Sequence, residues 1–186
     1  MRALRFLDMT ARQYLTAQFA AAAVMLLLIP RGAGAQVPKY ELGAGYVHVV
    51  MDTSADVQQL DGVTVSFARN LNGWFGVVAD LGGYHLEGFR LGTYLFGPRL
   101  TARAGERVSI FGQALIGGAH ANAGGRGFPA YHDSLASAAG FGFDYRAGRR
   151  IAIRLVHSEY LQTRLGNDVQ HNLRIGAGIV LRFGIL

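Results

Sequence analysis

From residue 40 onward the chain alternates. Bulky apolar residues hold one parity of each run; glycine, small polar residues and isolated charges hold the other. A period of two puts successive side chains on opposite faces of a strand, so each run reads as a β-strand with one greasy and one polar face. Eight such strands are expected: Tyr40–Asp52, Leu60–Arg69, Trp74–His85, Gly92–Ala102, Val108–Ala119, Leu135–Tyr145, Ile151–Leu161 and His171–Phe183. The connections between them alternate in length. Asn70–Gly73, Arg103–Arg107 and Arg146–Arg150 are short polar turns, whereas 53–59, 86–91, 120–134 and 162–170 are longer loops. That order predicts strands running up and down around a closed sheet, with both ends of the sheet on the short-turn side.

Composition decides what surrounds the sheet. A water-soluble barrel or sandwich would bury the bulky parity and coat the other with Lys and Glu. Here the other parity is mostly glycine: 26 of 186 residues are Gly, 51% are apolar and only 16% are charged. Small residues suit the crowded interior of an eight-stranded barrel. Large apolar residues on a convex wall need lipid around them. The runs also match the roughly 9–11 residues a tilted strand needs to cross hydrocarbon. The expected fold class is therefore all-β: a single eight-stranded antiparallel up-and-down transmembrane barrel. The absence of Cys excludes a disulfide scaffold and a Cys-based zinc site.

Residues 1–35 read as a cleaved secretory signal, leaving 36–186 as the barrel domain. Arg2, Arg5 and Arg12 form a basic leader, Phe19 to Ile29 an uncharged apolar run, and Ala33-Gly34-Ala35 a small-x-small cleavage site before Gln36. A membrane anchor helix is the competing reading, set aside because the apolar part is short. The long leader places the start of the signal nearer Met9. Losing 1–35 removes four arginines and Asp8, so the high pI belongs partly to the signal. The rest holds no Lys/Arg run, and nucleic acid is not expected as a partner.

Seven charged residues lie on the small-residue parity and are expected to point into the lumen: Glu41, Asp80, Arg99, Asp144, Arg154, Arg174 and Arg182. Ser158 shares that parity. Neighbouring strands would pair Asp144 with Arg154, and Glu41 with Arg182 where the barrel closes. Unpaired charges in a narrow bore are costly, so these groups are expected to plug the lumen; the alternative is a narrow passive pore lined by the same groups. On the apolar parity, Tyr40, Phe75, Tyr145 and Phe183 fall at strand ends on the short-turn side, with Trp74 beside them, as an aromatic girdle would. Pro98 removes a ladder donor, so a bulge or a pause is expected at the Gly97-Pro98 step.

Several segments carry a family resemblance: Trp74-Phe-Gly-Val-Val-Ala-Asp-Leu-Gly-Gly-Tyr84, Leu95-Phe-Gly-Pro-Arg99, Gly140-Phe-Gly-Phe-Asp-Tyr145, Ile151-Ala-Ile-Arg154 and Asn172-Leu-Arg-Ile-Gly-Ala-Gly-Ile-Val-Leu-Arg-Phe183. Together they resemble the small eight-stranded outer-membrane barrels of the OmpA/OmpX type and the outer membrane protein beta-barrel domain family. The resemblance implies a place in the bacterial outer membrane. It also implies a structural or surface-interaction role through long extracellular loops, mainly residues 120–134. The implied partners are outer-membrane lipid and lipopolysaccharide, with periplasmic chaperones and the barrel-insertion machinery during biogenesis. The last strand is similar to the insertion signal of such barrels, carried here by Arg174, Gly176, Ile179, Leu181 and Phe183, although the chain continues three residues past the aromatic.

Some barrels of this kind are hydrolases acting on lipid A, through a His-x-Ser pair and a carboxylate. The matching residues here are His132-Asp133-Ser134, with Glu159 downstream. In His157-Ser158-Glu159 the His and Ser are adjacent on a strand and would diverge. The first set reads as loop polarity and the second as strand-end polarity, so no enzyme is expected and the hydrolase stays as the alternative. Gly124-Gly125-Arg126-Gly127 lacks the Lys-Ser/Thr of a phosphate loop. His120, His132, Asp133 and His171 share the long-loop end without helical spacing or Cys companions, and no metal or cofactor is expected.

Overall fold

Eight antiparallel strands, each hydrogen-bonded to the next, close into a barrel when the first pairs with the last. The structure is a computed structural model and describes residues 37–52, 57–123, 132–165 and 168–186. The expected signal at 1–35 and the middle of the 120–134 loop lie outside the described residues. The strands are β1 (Pro38–Asp52), β2 (Val57–Asn70), β3 (Phe75–Leu86), β4 (Phe89–Ala104), β5 (Val108–Ala123), β6 (His132–Arg146), β7 (Ile151–Leu165) and β8 (Asp168–Ile185). The closing seam runs in register from Pro38↔Ile185 to Asp52↔His171. Closure leaves no edge, so every strand has a neighbour on both sides for its backbone groups.

All eight expected strands are present, and they outrun the expected boundaries toward the end away from the termini. The connection expected as a loop at 86–91 is a two-residue turn at Glu87-Gly88, with Gly88 at φ 76°. Likewise 57–59 and 162–165 are strand, not loop. The reason is physical. Gln58, Arg90 and Gln162 are polar because they sit beyond the apolar band of the wall, and polarity on a strand looks like a loop in sequence. At the other end Trp74 belongs to the turn rather than to β3, whose ladder begins at Phe75. Asn72 shapes that turn by accepting hydrogen bonds from the amides of Trp74 (2.9 Å) and Phe75 (2.7 Å).

The Gly97-Pro98 step pauses the β4–β5 ladder. Pairing runs to Phe96↔Ile116 and resumes at Arg99↔Gln113 with register unchanged, while the β3 side pairs through Val77↔Pro98. The sheet's real irregularity lies elsewhere. Register slips by one between Phe143 and Asp144 against β7, and again between Arg154 and His157 against β8. Both slips mark a bulge at Leu155-Val156, whose side chains both face outward.

The bulge inverts the parity of the rest of β7. His157, Glu159, Leu161 and Thr163 turn inward, and Ser158 turns away from the interior, contrary to the expectation for Ser158. The interior also departs from a filling of small residues and charges alone. Val49, Met51, Leu60, Leu91, Leu161 and Tyr84 form an apolar core, most of it in the half away from the termini. Full burial of such a side chain contributes about 1.5–3 kcal/mol.

Glycine permits the closest contacts in the wall. A Cβ built on Gly140 would lie 2.5 Å from Glu159 Cγ and would also strike the Ser158 carbonyl, whereas one on Gly83 would meet nothing within 4 Å. Gly140→Val is therefore expected to lower the stability of the folded barrel by about 1–3 kcal/mol, and Gly83→Ala to leave it within about 0.5 kcal/mol. Urea titration of each refolded variant checks both.

Candidate functional site: the buried charge network and the two rims

The interior charges are placed by strand parity and joined by register. Glu41, Asp80, Arg99, Asp144, Arg154, Arg174 and Arg182 are all buried. They form two clusters, one above the other.

The cluster nearer the termini centres on Asp144 and Glu41. Arg154 grips Asp144 with two parallel bonds, Nε to Oδ1 at 2.8 Å and Nη2 to Oδ2 at 3.2 Å, and Arg182 Nη2 reaches the same carboxylate at 3.4 Å. Glu41 lies 3.7 Å from Arg182 Nε and 3.8 Å from Arg99 Nη1. Asn70 ties that corner by donating to the Pro38 carbonyl (2.8 Å) and to Glu41 (3.3 Å). Phe111 forms the roof: the guanidiniums of Arg99 and Arg154 each sit 4.4 Å from its ring centre. Such a cation–π contact is worth more where water is excluded.

The second cluster centres on Arg174, which has no measurable exposure. Its Nη1 donates to Asp80 at 2.9 Å and to the Tyr84 hydroxyl at 2.6 Å, and its Nε donates to Glu159 Oε2 at 2.7 Å. Arg174 Nη2 also bonds the same Glu159 oxygen. The other oxygen of Glu159 accepts from Gln113 Nε2 at 2.6 Å and lies 3.1 Å from His157 Nε2. The pairing Asp80–Arg174 joins β3 to β8 across the bore. Around these groups, the gap lined by Gly43, Ser66, Arg154 and His157 measures about 10 Å³, close to the smallest space that holds one water. Sequence reasoning missed His157, Glu159 and Tyr84 as members of the network. The apolar doublet Leu155-Val156, where alternation fails, was the available signal for the first two.

The outer wall is banded. Large apolar side chains face outward on all eight strands, among them Val63 (62% exposed), Phe96 (64%) and Ile179 (57%). Toward the termini the band ends in aromatics: Tyr40 stacks on Phe183 (5.6 Å between centroids) and on Phe67 (5.9 Å), and Trp74 lies 5.7 Å from Phe75. Tyr145 accepts a 3.3 Å hydrogen bond from Arg107. Along β8, Arg174 is buried while Ile179, Leu181 and Phe183 face outward; an added Cβ on Gly176 would meet Val47 and the Tyr46 carbonyl.

At the opposite end the band gives way to acid and imidazole. Asp61 accepts from Tyr46 (2.5 Å) and from His48 (2.8 Å), and Asp133 accepts from His120 (2.7 Å). Tyr160 and His171 pair on the same rim. The candidate hydrolase set does not assemble. Glu159 pairs across from Gly140, six residues along β6 from Ser134, and is held by Arg174 and Gln113; the half-buried Ser134 faces the Ala119 carbonyl at 3.5 Å. Of the four candidate metal ligands, His120 pairs with Asp133 and His171 with Tyr160, and the His132 side chain lies outside the described residues. Among the described residues no three His, Cys, Asp or Glu side chains converge as a metal site would need.

No protein-family model and no curated protein matches the chain by sequence. Solved structures match it by shape. Neisserial surface protein A superposes with a TM-score of 0.65 at 15% identity, covering 78% of this chain and 97% of that one. OprG from Pseudomonas aeruginosa gives 0.55 at 11% identity, covering 81% and 98%. Ail, the attachment invasion locus protein of Yersinia pestis, gives 0.51 at 17% identity, covering 77% and 99%. The chain thus has the fold of the small, OmpA/OmpX-type eight-stranded outer-membrane barrels.

Proposed function

We propose that the protein is an integral barrel of the bacterial outer membrane whose packed, charge-paired interior closes the lumen. In this reading the role is structural or surface-interacting, and the barrel is neither a pore nor an enzyme. The observation that carries it is the inversion of the usual protein section. Exposed Leu, Val, Ile and Phe girdle all eight strands, while Arg174, Glu159, Asp80 and Asp144 are buried within. Water would penalise that band over its whole circumference, whereas lipid solvates it. The packed interior supports a plug over a pore, since the buried side chains of Arg99, Phe111, Arg154, Arg174 and Leu161 fill the bore. Against a hydrolase stands the commitment of Glu159 to Arg174. The extracellular surface is then the end with the Glu87-Gly88 turn and the β5–β6 connection, whose expected span of 120–134 is shortened by strand at 120–123 and 132–134, and the termini face the periplasm. Lipid and lipopolysaccharide are the wall's immediate partners, and the last strand, with Arg174, Gly176, Ile179, Leu181 and Phe183, serves the insertion machinery.

In planar bilayers at neutral pH the purified protein is expected to pass no steady current; sustained open channels would assign it to the pores instead. Arg174→Met strands Asp80 and Glu159 without their shared cation and is expected to cost about 3–5 kcal/mol, read as a lowered urea midpoint. The sidedness is testable because the chain has no Cys of its own. Glu87→Cys should react with a membrane-impermeant maleimide on intact cells, and Arg149→Cys only after the outer membrane is breached; the reverse pattern would invert the orientation. Cells expressing the protein should carry lipid A with an unchanged number of acyl chains. A deacylated species that disappears with Ser134→Ala would establish the hydrolase.

A further inference from the structure

The sequence spreads its arginines thinly, but the fold gathers them. Where the strands reach the terminal end, Lys39 is the second residue of β1 and Arg69 lies at the foot of β2, directly across from Tyr40 on the outer wall. The end of β4 adds Arg103, the β4–β5 turn Arg107, and the β6–β7 turn Arg149 and Arg150, with Arg146 at its edge. Arg69, Arg107, Arg149 and Arg150 are exposed. Among the described residues at this end the one exposed acid is Glu106. The far rim is different: Arg90 and Arg164 are balanced there by Asp61, Glu87 and Asp133. Interior charges do not oppose the contrast: Arg99, Arg154, Arg174 and Arg182 are matched in number by Glu41, Asp80, Asp144 and Glu159, with the small excess of arginine toward the termini.

Three of these bases touch the aromatic girdle or the turn beside it. The Lys39 ammonium sits 5.8 Å from the centre of the Tyr40 ring, Arg107 donates to the Tyr145 hydroxyl at 3.3 Å, and Arg103 donates to the Gly73 carbonyl beside Trp74. Aromatic rings mark the depth where hydrocarbon meets headgroups, and long basic side chains at that depth extend into the headgroup layer. We propose that this basic collar binds the headgroups of anionic phospholipids in the leaflet around the terminal end, selecting them over zwitterionic neighbours. The occupant is lipid rather than a soluble polyanion, because Arg69 stands on the outer wall across from Tyr40 and Arg107 reaches the girdle hydroxyl of Tyr145 from its turn. The inference rests on the barrel spanning a membrane, and its test separates the two.

The mature protein is refolded into phosphatidylcholine vesicles, and its association with spin-labelled phosphatidylglycerol and spin-labelled phosphatidylcholine is compared by electron spin resonance. Folding and insertion are read independently from heat-modifiable migration on gels. At low salt the wild type should favour phosphatidylglycerol by about five-fold, the scale of one basic group near an anionic surface, and the preference should shrink toward unity in 1 M salt as screening shortens to about 3 Å. The triple variant Arg107→Gln/Arg149→Gln/Arg150→Gln should keep the gel shift and lose most of the preference. The far-rim variant Arg90→Gln/Arg164→Gln should keep both. Equal association of the two lipids with the wild type would overturn the collar, as would a preference surviving the triple variant or an equal loss in the far-rim variant. Binding of soluble heparin without any lipid preference would hand the surface to a soluble polyanion. Loss of the gel shift in the wild type would instead strike the membrane-barrel reading itself.

Discussion

A closed ladder of eight strands sets everything else in this molecule. Because β1 pairs with β8 along its whole length, the backbone of the wall satisfies itself and can sit in hydrocarbon, where an open edge would strand amides and carbonyls at several kcal/mol each. Closure also divides space. Each residue on a strand must point either into a bore that only eight strands enclose or out through the wall. The bore is too narrow to be left unfilled and too dry to tolerate a lone charge. The consequence is visible in Arg174, which takes Asp80 from the opposite wall and Glu159 from the adjacent strand. The network is thus a condition of closure as much as a feature laid over it.

That geometry explains why so much of the fold was legible. Strand number, order, antiparallel sense and the outward assignment of Tyr46, Val63, Phe96, Ile153 and Ile179 all follow from one period, and a single slip would have moved each of them to the other face. Strand ends were harder to read, because Gln58, Arg90 and Gln162 are strand residues dressed as loop. Their polarity answers to the medium outside the wall and carries no information about backbone conformation. Parity could place Arg154 and Asp144 on adjacent strands and facing one way. It could not place Glu159, because the bulge at Leu155-Val156 reverses the count just before it. One inserted residue thus brings His157 and Glu159 beside Gln113 and lets Arg174 find a second carboxylate.

The interior is graded along its axis. Near the termini it is ionic, with two guanidiniums against Phe111; further along it becomes apolar around Val49, Leu60, Leu91 and Leu161. The two halves resist opening for different reasons. Charges bound in pairs at 2.7–2.9 Å hold direction and register between strands, while the apolar half holds volume. A barrel filled with charges alone would rest on groups that gain little over their hydration. A barrel filled with hydrocarbon alone would have nothing to fix which strands face each other across the bore. Tyr84 lies at the junction: its ring is part of the apolar cluster and its hydroxyl accepts from Arg174.

Charge asymmetry between the two ends extends the same logic to the wall's surroundings. Within the bore, four arginines meet four carboxylates and leave no net charge, but the cluster nearer the termini holds three of the arginines and two of the carboxylates, so the interior is positive toward that end. The rims point the same way: basic where Lys39, Arg69, Arg107, Arg149 and Arg150 lie near the aromatic girdle, and close to neutral or acidic where Asp61, Glu87 and Asp133 stand. Strand pairing is indifferent to which end is which, and the apolar band is equally indifferent. The rims are the parts of the molecule that distinguish one leaflet from the other. A barrel held in place by its waist alone could shift along the membrane normal at little cost. One whose lower rim is both aromatic and basic has a fixed depth, because moving it inward would drag guanidiniums into hydrocarbon and moving it outward would take Phe75 and Phe183 into water.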